Sequence, residues 1–203
     1  MSSRDEILAR VRRNQPAAVE LPPIPVFDGL RGPALEAFAA GVLRMGGTVV
    51  DAPADGDLDA LVTRLFPDAK VVCSATSEVR GTRALDPHAA PASLDDVDVG
   101  VVRARYGIAE TGTLCLTAAD LEVSALGFLA QHLVVLLDPD AIVPGLHDAY
   151  GRRADFDAPY VVFMTGPSAT ADIEGVLIHG AQGIRTLTVV PIARREAGAG
   201  APQ

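Results

Sequence analysis

Apolar residues along this chain follow two periodicities. Short continuous runs at 48–50, 69–74, 97–102, 113–117, 132–137, 160–164 and 186–192 read as strands, several with the unbroken apolar character of a sheet buried on both faces. Between them lie segments whose apolar positions recur every three or four residues. Ile7, Leu8 and Val11 stripe a helix over 2–14, where Ser3 and Glu6 have capping-box spacing. Leu35, Phe38, Ala39, Val42 and Leu43 stripe a second helix, opened by Pro33 and closed by Gly46 and Gly47. Leu58, Leu61, Val62 and Leu65 stripe a third, capped by Asp57 and stopped by Pro67. A helical turn is expected over 126–130. Longer helices are expected from Asp138 or Asp140 through 150, interrupted by Pro144, and over 170–179. The alternation predicts an α/β fold with a mainly parallel sheet covered on both faces.

A chain of 203 residues is one ordinary domain, or one domain with an arm. The proline-rich, non-periodic stretch 15–33 predicts an extended linker. Residues 1–32 are therefore read as an arm of helix plus linker that packs on the body or on a neighbouring subunit, which leaves a homo-oligomer open. Residues 33–195 form the α/β domain, and 196–203 a loose Ala/Gly-rich tail.

Charge and cysteine usage narrow the classes. The net charge is -9, and Lys70 is the only lysine. An acidic chain without a basic run is a poor partner for nucleic acid or an anionic membrane surface. Residues 1–20 are charged and lack an apolar signal-peptide core, and no apolar run approaches the roughly 20 residues of a transmembrane helix. Cys73 and Cys115 each sit in a predicted strand, and no Cys-x-x-Cys is present, so no iron–sulfur cluster or structural zinc is expected in this chain. No pair of histidines has metal-ligand spacing, and no metal site is expected. These features fit a reduced, cytoplasmic protein without a membrane span.

Candidate chemistry gathers in two stretches. Residues 106–116 read Tyr-Gly-Ile-Ala-Glu-Thr-Gly-Thr-Leu-Cys-Leu, a polar cluster running into an apolar strand. Glu110 is the candidate catalytic group. It is placed to act as base, acid or nucleophile, or to hold a turn by accepting hydrogen bonds from Thr111, Thr113 and the Gly112 amide. Residues 160–174 place Gly166, Ser168, Thr170, Asp172 and Glu174 after an apolar strand. They read either as a well-capped helix or as a helix N-terminus that binds an anion. In an open α/β sheet, ligands collect where strands end and loops converge, so the two stretches are expected to share one site.

Gly107-Ile108-Ala109-Glu110-Thr111-Gly112-Thr113-Leu114 and the later Gly166-Pro167-Ser168-x-Thr170-Ala171-Asp172-Ile173-Glu174 resemble the two signature segments of the lactate-utilisation (LUD) domain family. The resemblance runs from about residue 97 to 192. In overall plan the chain is similar to the family's stand-alone C-type members. The resemblance implies a three-layer α/β/α fold similar to the sugar-phosphate isomerase and CoA-transferase superfamily. It also implies a role in bacterial L-lactate oxidation to pyruvate, beside two iron–sulfur lactate-utilisation proteins. The sequence departs from the pattern where relatives carry an arginine at Ala169, a basic residue near Val123 and a histidine near Gln182.

The leading expectation is thus a non-redox subunit of a lactate-oxidising system, with a small carboxylate or acyl-type ligand held by Thr111, Gly112, Thr113, Gly166, Ser168, Thr170, Asp172 and Glu174 around Glu110. The alternatives are a CoA or acyl transferase that uses Glu110 as nucleophile, and a non-catalytic ligand-binding or scaffold protein.

Overall fold

A computed structural model describes residues 2–20, 22–23, 33–88, 90–171, 177–180 and 182–194. Its elements, in chain order, are helix α1 (Ser3–Arg13), helix α2 (Ala34–Arg44), strand β1 (Thr48–Val49), helix α3 (Leu58–Leu65), strands β2 (Val72–Ser74), β3 (Val99–Arg103), β4 (Tyr106–Ile108) and β5 (Thr113–Thr117), short helices α4 (Ala118–Leu121) and α5 (Leu126–Leu129), strands β6 (His132–Leu137) and β7 (Ile142–Val143), helix α6 (Leu146–Gly151), and strands β8 (Val161–Thr165), β9 (Ala169–Ala171), β10 (Leu177–His179) and β11 (Thr186–Pro191).

A five-stranded sheet in the order β1-β11-β6-β3-β2 is parallel throughout. Alternation along its strands feeds two cores. Val99, Val101, Val134, Leu136 and Val190 point to one face, where α3 buries Leu58, Leu61 and Val62. Val102, Leu133, Val135, Leu137, Leu187 and Val189 point to the other, against Phe38 and Val42 of α2. Each of these aliphatic side chains contributes about 1.5–3 kcal/mol by leaving water. Asp57 caps α3 by accepting from the Ala60 amide at 2.9 Å, as the sequence predicts. The α1 capping box is made by Ser2 and Asp5, one residue earlier than expected, and none of the α1 residues is buried.

The strongest departure from expectation is a second sheet, β7-β4-β5-β8, in which β4–β5 and β5–β8 are antiparallel. It grows directly out of the first. The chain leaves β3 at Arg103 and enters β4 at Tyr106 after only two intervening residues, and β6 leads on to β7, which pairs with β4 in parallel. The α/β class and the mainly parallel central sheet are as predicted. The short strands β4 and β7, of three and two residues, are too brief to show a period of two.

Two expected helices are replaced. The segment after Asp138 makes a single 3-10 turn at Pro139–Ala141, then β7, and only then α6. Pro144 forces Val143 out of the helical region and removes an amide, so the helix starts beyond it. Where the other was expected, Ala169–Ala171 and Leu177–His179 are strands β9 and β10, paired antiparallel with Ala171 opposite Leu177, Thr170 opposite Ile178 and Ala169 opposite His179, and the middle of the expected helix, 172–176, lies outside the described residues. Thr170 and Ile178, which face each other in this pairing, are β-branched, which favours strands over a helix interior.

Candidate functional site

The site forms where the second sheet meets the end of α2. Residues 109–112 are the tip of the β4–β5 hairpin, closed by the Gly112 amide donating to the Ile108 carbonyl at 2.9 Å. The tip is pinned to the next loop: the Ala109 amide donates to the Val143 carbonyl at 2.9 Å, and the Glu110 amide to the Pro144 carbonyl at 3.0 Å. The Leu146 amide donates to Glu110 Oε2 at 3.1 Å. One carboxylate oxygen therefore orients the side chain, while Glu110 as a whole stays exposed.

Behind it runs a chain of hydroxyls. Thr111 Oγ1 and Thr113 Oγ1 are 2.6 Å apart, and Thr113 Oγ1 and Thr165 Oγ1 are again 2.6 Å apart, because β5 and β8 pair with Thr113 opposite Thr165. Three hydroxyls own three hydrogens, and two are consumed between them. One hydroxyl hydrogen of the chain is left over for another partner.

Glycines bring α2 onto this hairpin. Gly112 has φ +69, and a Cβ there would lie 2.2 Å from the Val42 amide nitrogen. Gly166 has φ +71, and a Cβ there would lie 2.3 Å from the Met45 carbonyl oxygen. The glycines of both signature stretches thus abut the last turn of the same helix, and only glycine permits the approach. This packing delivers Arg44. Its guanidinium donates to the Glu110 carbonyl oxygen at 3.4 Å, and it forms no ion pair among the described residues.

The resulting cleft has a volume of about 320 Å³ and is lined by Arg44, Met45, Glu110, Thr111, Thr113, Leu146, Phe163 and Thr165. Of the residues singled out in the sequence, Glu110, Thr111 and Thr113 line it, and Gly112 and Gly166 shape it from behind. Ser168 does not line it: its amide donates to the Ile184 carbonyl and its carbonyl accepts from the Gly180 amide. Thr170 is exposed on β9 and also lies outside the cleft lining, and Asp172 and Glu174 fall outside the described residues. Arg44 and Thr165 were not anticipated. Thr165 directly precedes the second signature segment and is legible in hindsight, whereas nothing local connects Arg44 to Glu110 across 66 positions.

The family model that matches this chain is the LUD domain, over residues 91–192. The chain belongs to the LUD domain family. It is 34% identical over 100 residues to an uncharacterised protein of Neisseria meningitidis serogroup B, covering 48% of this chain and 43% of that one. It is 26% identical over 160 residues to lactate utilization protein C of Geobacillus kaustophilus, covering 71% of this chain and 64% of that one. The alignments thus span less than two thirds of either relative's length. The fold is similar to the crystal structure of a DUF162 family protein from Deinococcus radiodurans, with a TM-score of 0.60 and 20% identity over 78% of this chain and 95% of that one.

Within this LUD domain the departures from the family pattern have plain surroundings. Ala169 and Gln182 are exposed, and Val123 is buried in the main core. The cation in the cleft comes from α2 instead. Among the described residues, no group of three or more His, Cys, Asp and Glu is placed to hold a metal ion, and no helix is long and apolar enough to cross a membrane.

Proposed function

We propose that this LUD-domain chain is a non-redox subunit of a bacterial, cytoplasmic system that oxidises L-lactate to pyruvate. Its similarity to lactate utilization protein C over 71% of its length carries the reading. On this reading the chain holds the acid beside Glu110. As the C–H and O–H bonds of the hydroxy carbon give way to a carbonyl, the two electrons would pass to two iron–sulfur partner proteins and the two protons to solvent. The small carboxylate would sit in the cleft, and Ser168, Thr170, Asp172 and Glu174 of the second signature segment would serve the ligand or a partner. The test is deletion of the gene in a strain without a second lactate dehydrogenase. Growth on L-lactate should stop while growth on pyruvate continues; undiminished growth on L-lactate sinks the proposal.

One observation favours acyl transfer as a second reading: Glu110 is exposed at the cleft with its carboxylate held by the Leu146 amide. A Glu110 oxygen would attack a thioester carbonyl, the C–S bond would break, the thiolate would leave, and an acyl anhydride would remain on Glu110. Hydroxylamine trapping in the presence of acyl-CoA, followed by peptide mapping, tests it. An unmodified Glu110 rejects it.

A further inference from the structure

The cleft presents four kinds of contact in one small volume. Arg44 supplies a cation whose only described partner is a long bond to a backbone carbonyl. Glu110 supplies a carboxylate already oriented by the Leu146 amide. Met45, Leu146 and Phe163 supply apolar wall, and the Thr111–Thr113–Thr165 chain supplies one spare hydroxyl donor.

We infer that Arg44 anchors the carboxylate of a short 2-hydroxy acid whose hydroxyl donates to Glu110, and that the site selects the hydroxy acid against the corresponding 2-oxo acid. The assignment rests on the proposed lactate role for its choice of acid and on the geometry for its contacts. A guanidinium with free donors is well matched to a carboxylate. An unattached acid near Glu110 would be repelled, so a ligand anion must lie on the Arg44 side. What faces Glu110 must then be a donor. A 2-hydroxyl is one, separated from the carboxylate by a single carbon. A 2-oxo group is an acceptor only and would meet the Glu110 lone pairs unfavourably. The short alkyl end is left to the apolar wall, and a cleft of about 320 Å³ has room for it.

Glu110→Gln gives the inference a signature. The glutamine carbonyl can keep the bond from the Leu146 amide, which places the side-chain NH2 where the second carboxylate oxygen stood. A donor then faces the ligand, and the preference moves toward the 2-oxo acid.

The experiment is isothermal titration calorimetry of the full chain with L-lactate, pyruvate, propionate and lactamide. Native protein should bind L-lactate about tenfold or more tightly than each of the other three, which respectively lose the hydroxyl donor, the whole hydroxyl group and the negative charge. Arg44→Gln should weaken L-lactate binding about 10- to 100-fold, and Arg44→Lys less. Arg64→Gln on α3, across the parallel sheet, should leave it unchanged. Glu110→Gln should cut the lactate-to-pyruvate affinity ratio about tenfold or more. Melting temperatures of each variant establish folding. Equal affinity for L-lactate and pyruvate in the native chain overturns the inference. So does native-like L-lactate binding by folded Arg44→Gln, or binding of none of the acids by the native chain. If the native chain binds no acid yet restores growth of the deletion strain, this inference falls and the pathway role stands. If it binds as described and growth on L-lactate never depended on it, the pathway role falls and the site assignment stands.

Discussion

Gly41 of α2 and Gly112 of the β4–β5 hairpin touch backbone to backbone: a Cβ on Gly41 would lie 2.5 Å from the Gly112 amide nitrogen. The contact joins the helix that carries Arg44 to the turn that carries Glu110, so one close approach sets the distance between the cleft's two charges. Gly112→Ala adds strain at φ +69 to an overlap with the Val42 amide. It should cost about 3 kcal/mol, read as a lower urea midpoint. Gly41→Ala should cost a similar amount without the dihedral strain. Stability unchanged by either would mean that the helix and hairpin are not packed this way.

Glu110→Gln separates chemistry from packing. The amide can still accept from Leu146, and the residue is exposed, so stability should change by less than about 1 kcal/mol. In the deletion strain it should fail to restore growth on L-lactate. Restoration equal to the native chain would reduce Glu110 to a turn-holding role.

Thr113→Val removes the middle of the hydroxyl chain at almost constant shape. Thr113 is 3% exposed, and its loss strands the hydroxyls of Thr111 and Thr165. A cost of about 1–2 kcal/mol is expected by thermal or urea unfolding, together with weaker acid binding. If both hydroxyls find water, the stability loss disappears while the binding loss remains, and the two measurements together read this out.

Acid should destabilise the fold through His132. Its ring stacks on Phe66 with centroids 4.7 Å apart, and Nδ1 lies 2.8 Å from Thr186 Oγ1. Burial, and then the nearby Arg185 charge, hold its pKa below the usual 6.5, only partly offset by Asp98. The neutral form is favoured in the fold, so this stability is complete above pH 6.5. It is lost as pH falls toward and through the folded value, because the unfolded chain takes up the proton first. Asp98 acts in a lower window: amides of Val71 and Lys70 depress its pKa, so its contribution fades below the ordinary 3.8. Melting temperature measured from pH 8 to 4 should fall below about pH 6.5 in the native protein. His132→Gln should flatten that part of the curve, and an unchanged slope would exclude His132 as the cause.

Tyr106 is fully buried, and among the described residues its hydroxyl has no hydrogen-bond partner beyond the weak Cys115 thiol beside it. Burial and that neighbour push its pKa well above the ordinary tyrosine value. Removing the hydroxyl relieves a desolvated polar group, so Tyr106→Phe should be neutral or stabilising by up to about 1 kcal/mol in urea unfolding. A clear loss of stability would show that the hydroxyl is satisfied in solution.

What the sequence determined by itself is what local pattern can encode. The strands 113–117 and 132–137 were readable to the residue because long apolar runs leave few alternatives, and the Asp57 cap was readable because the capping residue and the stripe it starts are adjacent. Gly112 and Gly166 were legible as points of close backbone approach, since glycine beside the end of a buried strand marks a tight turn. Tertiary structure decided the rest. The second sheet depends on strands of two and three residues whose partners lie far along the chain, and such pairing leaves no period to read. The antiparallel pair of 169–171 with 177–179 took the place of helical ends because β-branched side chains and a partner strand outweigh the spacing of a few apolar residues. Arg44 was invisible as a site residue, because its place over the cleft comes from three glycines in different segments meeting around one helix end. Charge proximity of that kind belongs to the packing of backbones, which no single stretch of sequence contains.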